Sequence, residues 1–400
     1  MTDKTNIPDF PMPRAAGCPF DPAPELTTGA PISRVRLWDG STPWLVTRYA
    51  DVRALLADPR VGVDASRPGF PHTNAVSRAR DTRMKTLMQL DAPEHTAQRR
   101  LLTADFTIRR MNALRPRIQR IADELVDDLL AGPRPANLVE AFALPLPSLV
   151  ICALLGVPYA DRDFFQRVAR TLVMDKPDAG RAVAASEELN AYLEDLVTAK
   201  AAEPGDDLLS RLAVEQFRTG AMSRREIAVL GQLLMVAGHD TTAAMIALGV
   251  AALFAHPEQL RAVRDGGPDL VASAVEELLR YLSITHTEAR RVAREDLEIG
   301  GTLIRAGEGV IAVKSTANRD PAAFTDPDTL DVGRATRHHV AFGYGSHQCL
   351  GQGLARVELQ VAYRTLFRRL PALAPAVPPE RLAYKENAIF YGVRELPVTW

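Results

Sequence analysis

The chain has 400 residues, 46% of them hydrophobic, which is enough apolar surface for a large core. A net charge of −1 gives no bulk attraction to nucleic acid or to membrane surfaces. The three cysteines, Cys18, Cys152 and Cys349, are an odd and sparse set, which argues against a disulfide scaffold and fits a reducing compartment.

The basic residues are 42 Arg and 6 Lys, a bias we read as that of a GC-rich bacterial genome rather than a binding signal. Met1 to Pro31 is a polar arm with seven prolines and no apolar stretch of the kind a secretory signal needs. Val35–Trp38 and Trp44–Thr47, either side of Asp39-Gly40, predict a hairpin. A short helix is expected from Asp51 to Asp58, then a loop from Pro59 to His72. Helical periodicity returns at Pro93 and holds to Leu282, with breaks at Gly132-Pro133, Pro145, Pro158, Pro177 and Pro204-Gly205. Within it Leu230–Phe254 is apolar enough to raise the membrane question. His239, Asp240, Thr241 and Thr242 at its centre would be costly in lipid, so a buried helix of a soluble protein is the better reading. That helix opens with Ser223-Arg224-Arg225-Glu226, a capping-box spelling. Leu297–Ile299, Gly300-Gly301 and Thr302–Ile304 read as strand, turn and strand. A last amphipathic stretch runs from Leu350 to Leu370. There is no internal repeat and no long linker.

Chemistry concentrates in five places. Phe342-Gly343-Tyr344-Gly345-Ser346-His347-Gln348-Cys349-Leu350-Gly351 sets a cysteine at the end of a glycine-rich loop before a helix, where backbone N–H groups favour thiolate. Such a sulfur can be redox-active, a nucleophile or a metal ligand, and the absence of a Cys-x-x-Cys partner weakens a thioredoxin-type or zinc reading. Ala237-Gly238-His239-Asp240-Thr241-Thr242 puts an acid and an alcohol inside an apolar helix. Thr241 can bond a carbonyl one turn back and open the ladder, or the polar residues simply bend a core helix. Glu277 and Arg280 stand three apart on a helix and can pair, although such spacing alone says little. His95 and Arg99, four apart, share a face. His72, in Pro68-Gly69-Phe70-Pro71-His72, reads first as a solvent-facing loop residue and second as a group on a substrate's side.

Phe342, Gly345, Cys349 and Gly351 fall on F-x-x-G-x-x-x-C-x-G, which resembles the haem-binding loop of cytochromes P450, and the order of helices and strands is similar from end to end. The resemblance implies a mainly α fold with a smaller β portion, a single domain over residues 1–400 with residues 1–31 as an arm, and one haem b per chain. It makes Cys349 the iron ligand, with thiolate ligation favouring O–O cleavage. It also puts His95, Arg99, Arg291 and His347 on the haem propionates, and Phe342, Gly343 and Gly351 against the ring. Asp240 and Thr241 become the oxygen-activation pair, with Asp240 where many relatives carry Glu and Gly238 clearing the helix where it faces iron. Glu277, Arg280 and Arg334 become a buried structural network. His72, Leu233, Ala237, Met245, Thr285, His286 and Ile389 fall on the substrate walls, within Val61–Met88, Phe164–Ala185, Leu233–Met245, Ile284–Ala289 and Asn387–Phe390.

The implied activity is O2-dependent monooxygenation, fed by a ferredoxin and its reductase docking near Arg100, Arg109, Arg110 and Arg356. The implied substrate is a bulky apolar secondary metabolite, foremost a macrolide (polyenes included) in antibiotic biosynthesis, with a sterol, vitamin-D-like or xenobiotic compound as the alternative. A peroxide-driven peroxygenase and a non-oxygenase relative are rivals within the chemistry. A haem-binding sensor or carrier is the reading from another class. The expected form is a cytoplasmic monomer with no nucleic-acid or membrane partner.

Overall fold

Most of the chain is helical, because apolar residues recur at helical spacing and prolines fall at helix starts rather than interiors. The helices Pro145–Leu155, Pro257–Asp265 and Pro268–Leu282 each begin on proline, where its missing N–H costs nothing. The structure, a computed structural model, describes residues 7–15, 17–83, 86–173, 179–386 and 388–400. The predicted break at Pro177 lies outside these, as do Met84 and Lys85, residues 174–178 and Asn387 of the expected walls.

Ten strands are described: β1 (Ile32–Arg34), β2 (Trp44–Val46), β3 (Val61–Gly62), β4 (Ala136–Asn137), β5 (Ala289–Ala293), β6 (Leu297–Ile299), β7 (Thr302–Ile304), β8 (Gly309–Ala312), β9 (Ala374–Pro375) and β10 (Pro397–Thr399). The chain falls into two compact units. One comprises Met1–Arg100, Asp269–Gln352 and Glu386–Tyr391; the other comprises Leu101–Pro268, Gly353–Lys385 and Gly392–Trp400.

The first unit holds a five-stranded sheet in the order β1-β2-β8-β5-β3. β2 and β8 run parallel with Leu45 opposite Ile311, and β5 runs antiparallel to β8 with Arg291 opposite Val310. Pairing of β1 with β2 starts three residues before the predicted strand, at Ile32 opposite Val46. Val35 and Leu37 then extend the hairpin by bonding to Pro43 and Ser41. β3 lies in what the sequence reads as loop, held by Val61 opposite Ala293. β6 and β7 form the predicted hairpin, with Gly300 and Gly301 at φ +52° and +76° in its turn, a conformation that Cβ disfavours. Val46, Leu55, Ala293, Ile304, Val310 and Val340 pack into one core.

The second unit is built around the helix Arg224–Ala255. Ser223 and Glu226 close a reciprocal capping box at its start. It is the one described helix long and apolar enough to cross a membrane, with 61% of its most apolar window buried in the protein. Its neighbours are chiefly the helices Ala179–Ala202 and Pro145–Leu155. β4, β10 and β9 form a small antiparallel sheet in this unit.

Candidate functional site

The cysteine loop is a closed backbone structure. Cys349 N–H donates to the Phe342 carbonyl at 2.9 Å, and Gln348 N–H to the Gly345 carbonyl at 3.1 Å. Gly343 and Gly345 both sit at φ +74°. At Gly345 a Cβ would also stand 2.3 Å from the Leu56 carbonyl oxygen, so conformation and space both require glycine. A Cβ at Gly351 would meet no protein atom within 4 Å. The helix that follows starts at Gln352, two residues later than the amphipathic pattern indicates, and leaves Cys349 three residues ahead of it. The Cys349 thiol is exposed.

Basic groups gather around this loop. The rings of His95 and His347 lie 4.0 Å apart. Arg99 donates to the Gln348 carbonyl at 2.6 Å, and Arg291 to the Arg290 carbonyl at 2.8 Å. Burial, then Arg291, His95 and Arg99, push His347 down to about 3. Burial lowers Arg291 to about 10 against the pull of Asp91. Burial and Arg99 also lower His95, while Arg99 itself is lowered by burial and partly restored by Cys349. A fifth base, Lys314, is felt by Cys349 as well and is lowered mainly by burial. Positive charge is thus packed against positive charge, which an anion would relieve.

In the second unit, Thr241 donates its hydroxyl to the Ala237 carbonyl at 2.7 Å. The helix nevertheless runs unbroken through these residues, so the bond does not interrupt it as the sequence reading expected. Asp240 Oδ1 lies 3.5 Å from Lys385 Nζ, with both side chains about four-fifths buried. Burial raises the Asp240 pKa and Lys385 opposes the rise. Lys385 reaches it from a hairpin in which its N–H bonds the Gly392 carbonyl, and a Cβ at Gly392 would lie 3.3 Å from Ala244 Cβ, one turn beyond Asp240. Gly238 corrects the sequence reading. A Cβ there would meet Ile151 Cδ1 at 2.8 Å, so the glycine serves close packing against the neighbouring helix. Leu233 is half-buried and Ala237 exposed, whereas Met245 is buried and its carbonyl accepts from the Tyr363 hydroxyl at 2.6 Å.

Three residues read as substrate wall come together in the first unit. Thr285 bridges to Phe390, and His286 N–H donates to the Ile389 carbonyl at 2.9 Å. His286 is pushed down to about 4 by burial and by Arg14. His72 is buried rather than solvent-facing, against the first sequence reading. Its Nδ1 stands 3.7 Å from Asp81 Oδ2, which also meets Arg290 at 3.0 Å. Glu277 and Arg280 pair at 2.8 Å with both side chains at 0% exposure, and Arg334 joins Glu277 at 3.2 Å. Of the arginines read as docking charge, Arg110 is already paired with Asp105 at 2.6 Å. Sequence reasoning missed Lys314 and Lys385. Their one available signal was rarity, since lysine is scarce in this chain.

Comparison with known proteins follows the same line. The family model described as Cytochrome P450 matches residues 269–388. The chain is similar to Cytochrome P450 GfsF of Streptomyces halstedii, 50% identical over 415 residues and all of both chains. The solved structure of GfsF superposes with a TM-score of 0.94, covering 98% of this chain and 100% of that one. The Vitamin D3 dihydroxylase of Streptomyces griseolus is 45% identical, over 99% of this chain and 98% of its own. The mycinamicin VIII C21 methyl hydroxylase MycCI of Micromonospora griseorubida, solved bound to mycinamicin VIII, is 40% identical with a TM-score of 0.87, covering 98% of this chain and 100% of that one. With a mainly helical fold, a smaller β portion and end-to-end likeness to these proteins, the chain belongs to the cytochrome P450 family of haem-thiolate monooxygenases.

Proposed function

We propose that this chain carries one haem b and hydroxylates a bulky, largely apolar secondary metabolite, foremost a macrolide, as a step of antibiotic biosynthesis. The observation that carries the reading is the exposed Cys349 thiol set among His95, Arg99, Arg291, Lys314 and His347. This donor set fits haem: a sulfur for the iron, and bases in excess of nearby carboxylates for two propionates. Cys349 would hold the iron, and His95, Arg99, Arg291 and His347 the propionates. Phe342, Gly343 and Gly351 would lie against the ring, and the freedom around Gly351 leaves the approach to its backbone clear.

Haem, when bound, supplies the chemistry that activates dioxygen and places one oxygen atom in a C–H bond. The protein's own part is to deliver protons and hold the substrate. Asp240 holds a proton more readily than an exposed carboxyl because burial disfavours its charge, and Lys385 opposes that hold. Thr241 Oγ1 already donates to a carbonyl, which leaves its lone pairs as acceptors for an incoming donor. Asp240 passing protons towards Thr241 is the relay we propose. Leu233, Ala237, Met245, Thr285, His286, Ile389 and His72 are the proposed substrate walls. The proposed working domain is the whole chain, residues 1–400, a reading supported by end-to-end likeness to the relatives. Electrons would come from a ferredoxin and its reductase, and the working form would be a cytoplasmic monomer.

The macrolide reading is supported by the relative solved with mycinamicin VIII. A sterol-like substrate is the second reading, favoured by the relative named Vitamin D3 dihydroxylase. The test is a reduced carbon monoxide spectrum, followed by titration with macrolides and with vitamin D3 while watching the spin state. A thiolate-type band lost in Cys349→Ala is expected, with a low-to-high-spin shift on a macrolide. A histidine-type band in wild type would defeat the haem-thiolate reading, and a shift with vitamin D3 alone would replace the macrolide reading by the sterol one. Robust turnover with ferredoxin and reductase would exclude a sensor or carrier.

A further inference from the structure

The segment between the helix Pro268–Leu282 and β5 has an unusual backbone. Ser283 and Glu288 both hold positive φ, at 39° and 53°, where non-glycine residues are strained. What holds them there is the short helix Lys314–Ala317 and the residue after it. The Glu288 carboxylate accepts from the backbone N–H groups of Lys314 at 2.7 Å and Ser315 at 3.2 Å, capping that helix. Asn318 donates its side-chain amide to Ser283 Oγ at 2.8 Å. Between these two rungs, Lys314 Nζ donates to Thr285 Oγ1 at 3.0 Å. Glu288, Lys314, Ser315 and Asn318 are all buried.

The same short helix also faces the cysteine loop. Asn318 Oδ1 accepts from Val340 N–H at 2.8 Å, just ahead of Phe342, and Cys349 partly offsets the lowering of Lys314 by burial. On the other side, the segment carries Thr285 and His286 into their pairing with Ile389 and Phe390. Of the three rungs, two are made by backbone groups or a neutral amide. Only the Lys314 rung lies in the middle of the segment and grips a wall side chain.

We propose that Lys314 is a positioning residue that locks the Thr285–His286 wall to the strut carrying the Cys349 loop, and so sets how tightly bulky ligands are held. The proposal rests on the haem-thiolate reading above. An immobile wall has already lost its freedom before a ligand arrives, whereas a loosened wall must be ordered by the ligand itself. A ligand too small to touch the wall is indifferent to the difference.

Two variants separate this role from folding. Lys314→Met with Glu288→Gln removes two buried charges that partly offset the cost of each other's burial, which avoids stranding either one. Thr285→Val leaves the charges in place and removes only the link. Ferric holoenzyme is titrated with imidazole, which reports access to iron, and with 4-phenylimidazole, which adds a ring that must pack beside the walls. Both variants are expected to bind 4-phenylimidazole about three- to tenfold more weakly and imidazole within about twofold of wild type. Unchanged 4-phenylimidazole affinity, or equal loss for both ligands, would overturn the positioning role. The reduced carbon monoxide band of wild type tells the two readings apart: without it the haem-thiolate reading falls and this one with it, whereas its presence alongside indifferent variants overturns this proposal alone.

Discussion

Arg280 offers the sharpest test of what holds the first unit together. Its guanidinium, at 0% exposure, donates twice to Glu277 at 2.8 Å, and to the carbonyls of Asn318 at 2.8 Å, Pro327 at 2.7 Å and Thr329 at 3.3 Å. Arg280→Met would leave Glu277 with Arg334 and the Asp331 N–H, and would take the guanidinium donor from the carbonyls of Asn318 and Pro327, while the Thr329 carbonyl keeps Arg334. Breaking a buried pair from one side costs about 3–5 kcal/mol. Each buried carbonyl left without a donor adds about 1–3 kcal/mol. The sum rivals the roughly 5–15 kcal/mol that keeps a domain folded. Arg280→Met is therefore expected to yield protein that retains little haem and melts far below wild type. Glu277→Gln keeps the shape and loses the charge, and should fall by about 3–5 kcal/mol. Arg280→Lys combined with Glu277→Gln should deviate from additivity by about 0.5–3 kcal/mol, as groups sharing a network do. Melting followed by circular dichroism, with the carbon monoxide band measured per chain, reads all three. An Arg280→Met protein that melts within about 2 °C of wild type, a shift worth no more than roughly 1 kcal/mol, would refute the reasoning.

Gly345→Ala should lower haem content sharply, because the new Cβ meets the Leu56 carbonyl at 2.3 Å in a backbone held at φ +74°; an undiminished haem-to-protein ratio would sink that expectation. Lys385→Met removes the influence that lowers the Asp240 pKa and leaves burial, which raises it. A carboxyl with a raised folded-state pKa loses stability as pH climbs above its unfolded value, so the gap to wild type should be widest near neutrality. That gap should close as pH falls through the raised pKa towards the ordinary carboxylate range, and Asp240→Asn should erase it; melting curves across pH decide the matter. Lys200→Arg should destabilise by about 1–3 kcal/mol through overpacking, since Lys200 is 9% exposed and its Nζ already sits 2.6 Å from Asp207; denaturant melts of the two proteins would coincide if the site has room.

Features written in neighbouring residues were legible in the sequence. The β6–β7 hairpin follows from alternation around Gly300-Gly301, and the start of the long helix from Ser223 and Glu226. Features written across the chain were not. β3 is two residues long, and only Ala293 and Val292, over two hundred positions away, make it a strand. The parallel pairing of β2 with β8 has no local sign either, because Leu45 and Ile311 read as ordinary apolar positions. Gly238 shows the limit within a motif. A glycine in a helix can make room for a ligand or for a neighbouring helix, and residue spacing does not distinguish them. Ile151 does. His72 was misjudged for the opposite reason, since loops are surface features by default and this one is pinned by Trp38 donating to its carbonyl at 3.0 Å.

The two lysines that the motifs passed over carry a signal after all. Arginine makes up 42 of the 48 basic residues, so arginine is the default base in this chain and a retained lysine is the exception. Of the six lysines, Lys4, Lys85 and Lys176 lie outside the described residues. The remaining three, Lys200, Lys314 and Lys385, are each largely buried and each directs its ammonium at a small target: Lys200 at Asp207 at 2.6 Å with Ser210 Oγ at 3.4 Å, Lys314 at Thr285 at 3.0 Å, and Lys385 at Asp240 at 3.5 Å. A guanidinium is broader, planar and spreads its donors over a fork, whereas an ammonium is a compact point on a flexible stem. Where a small buried target must be reached through a narrow space, the fork brings donors that find no partner, and each stranded donor carries a desolvation cost. A compact ammonium suits these three buried contacts, and a compositional oddity thereby points to the base beside Asp240 and to the base beside the Thr285 wall.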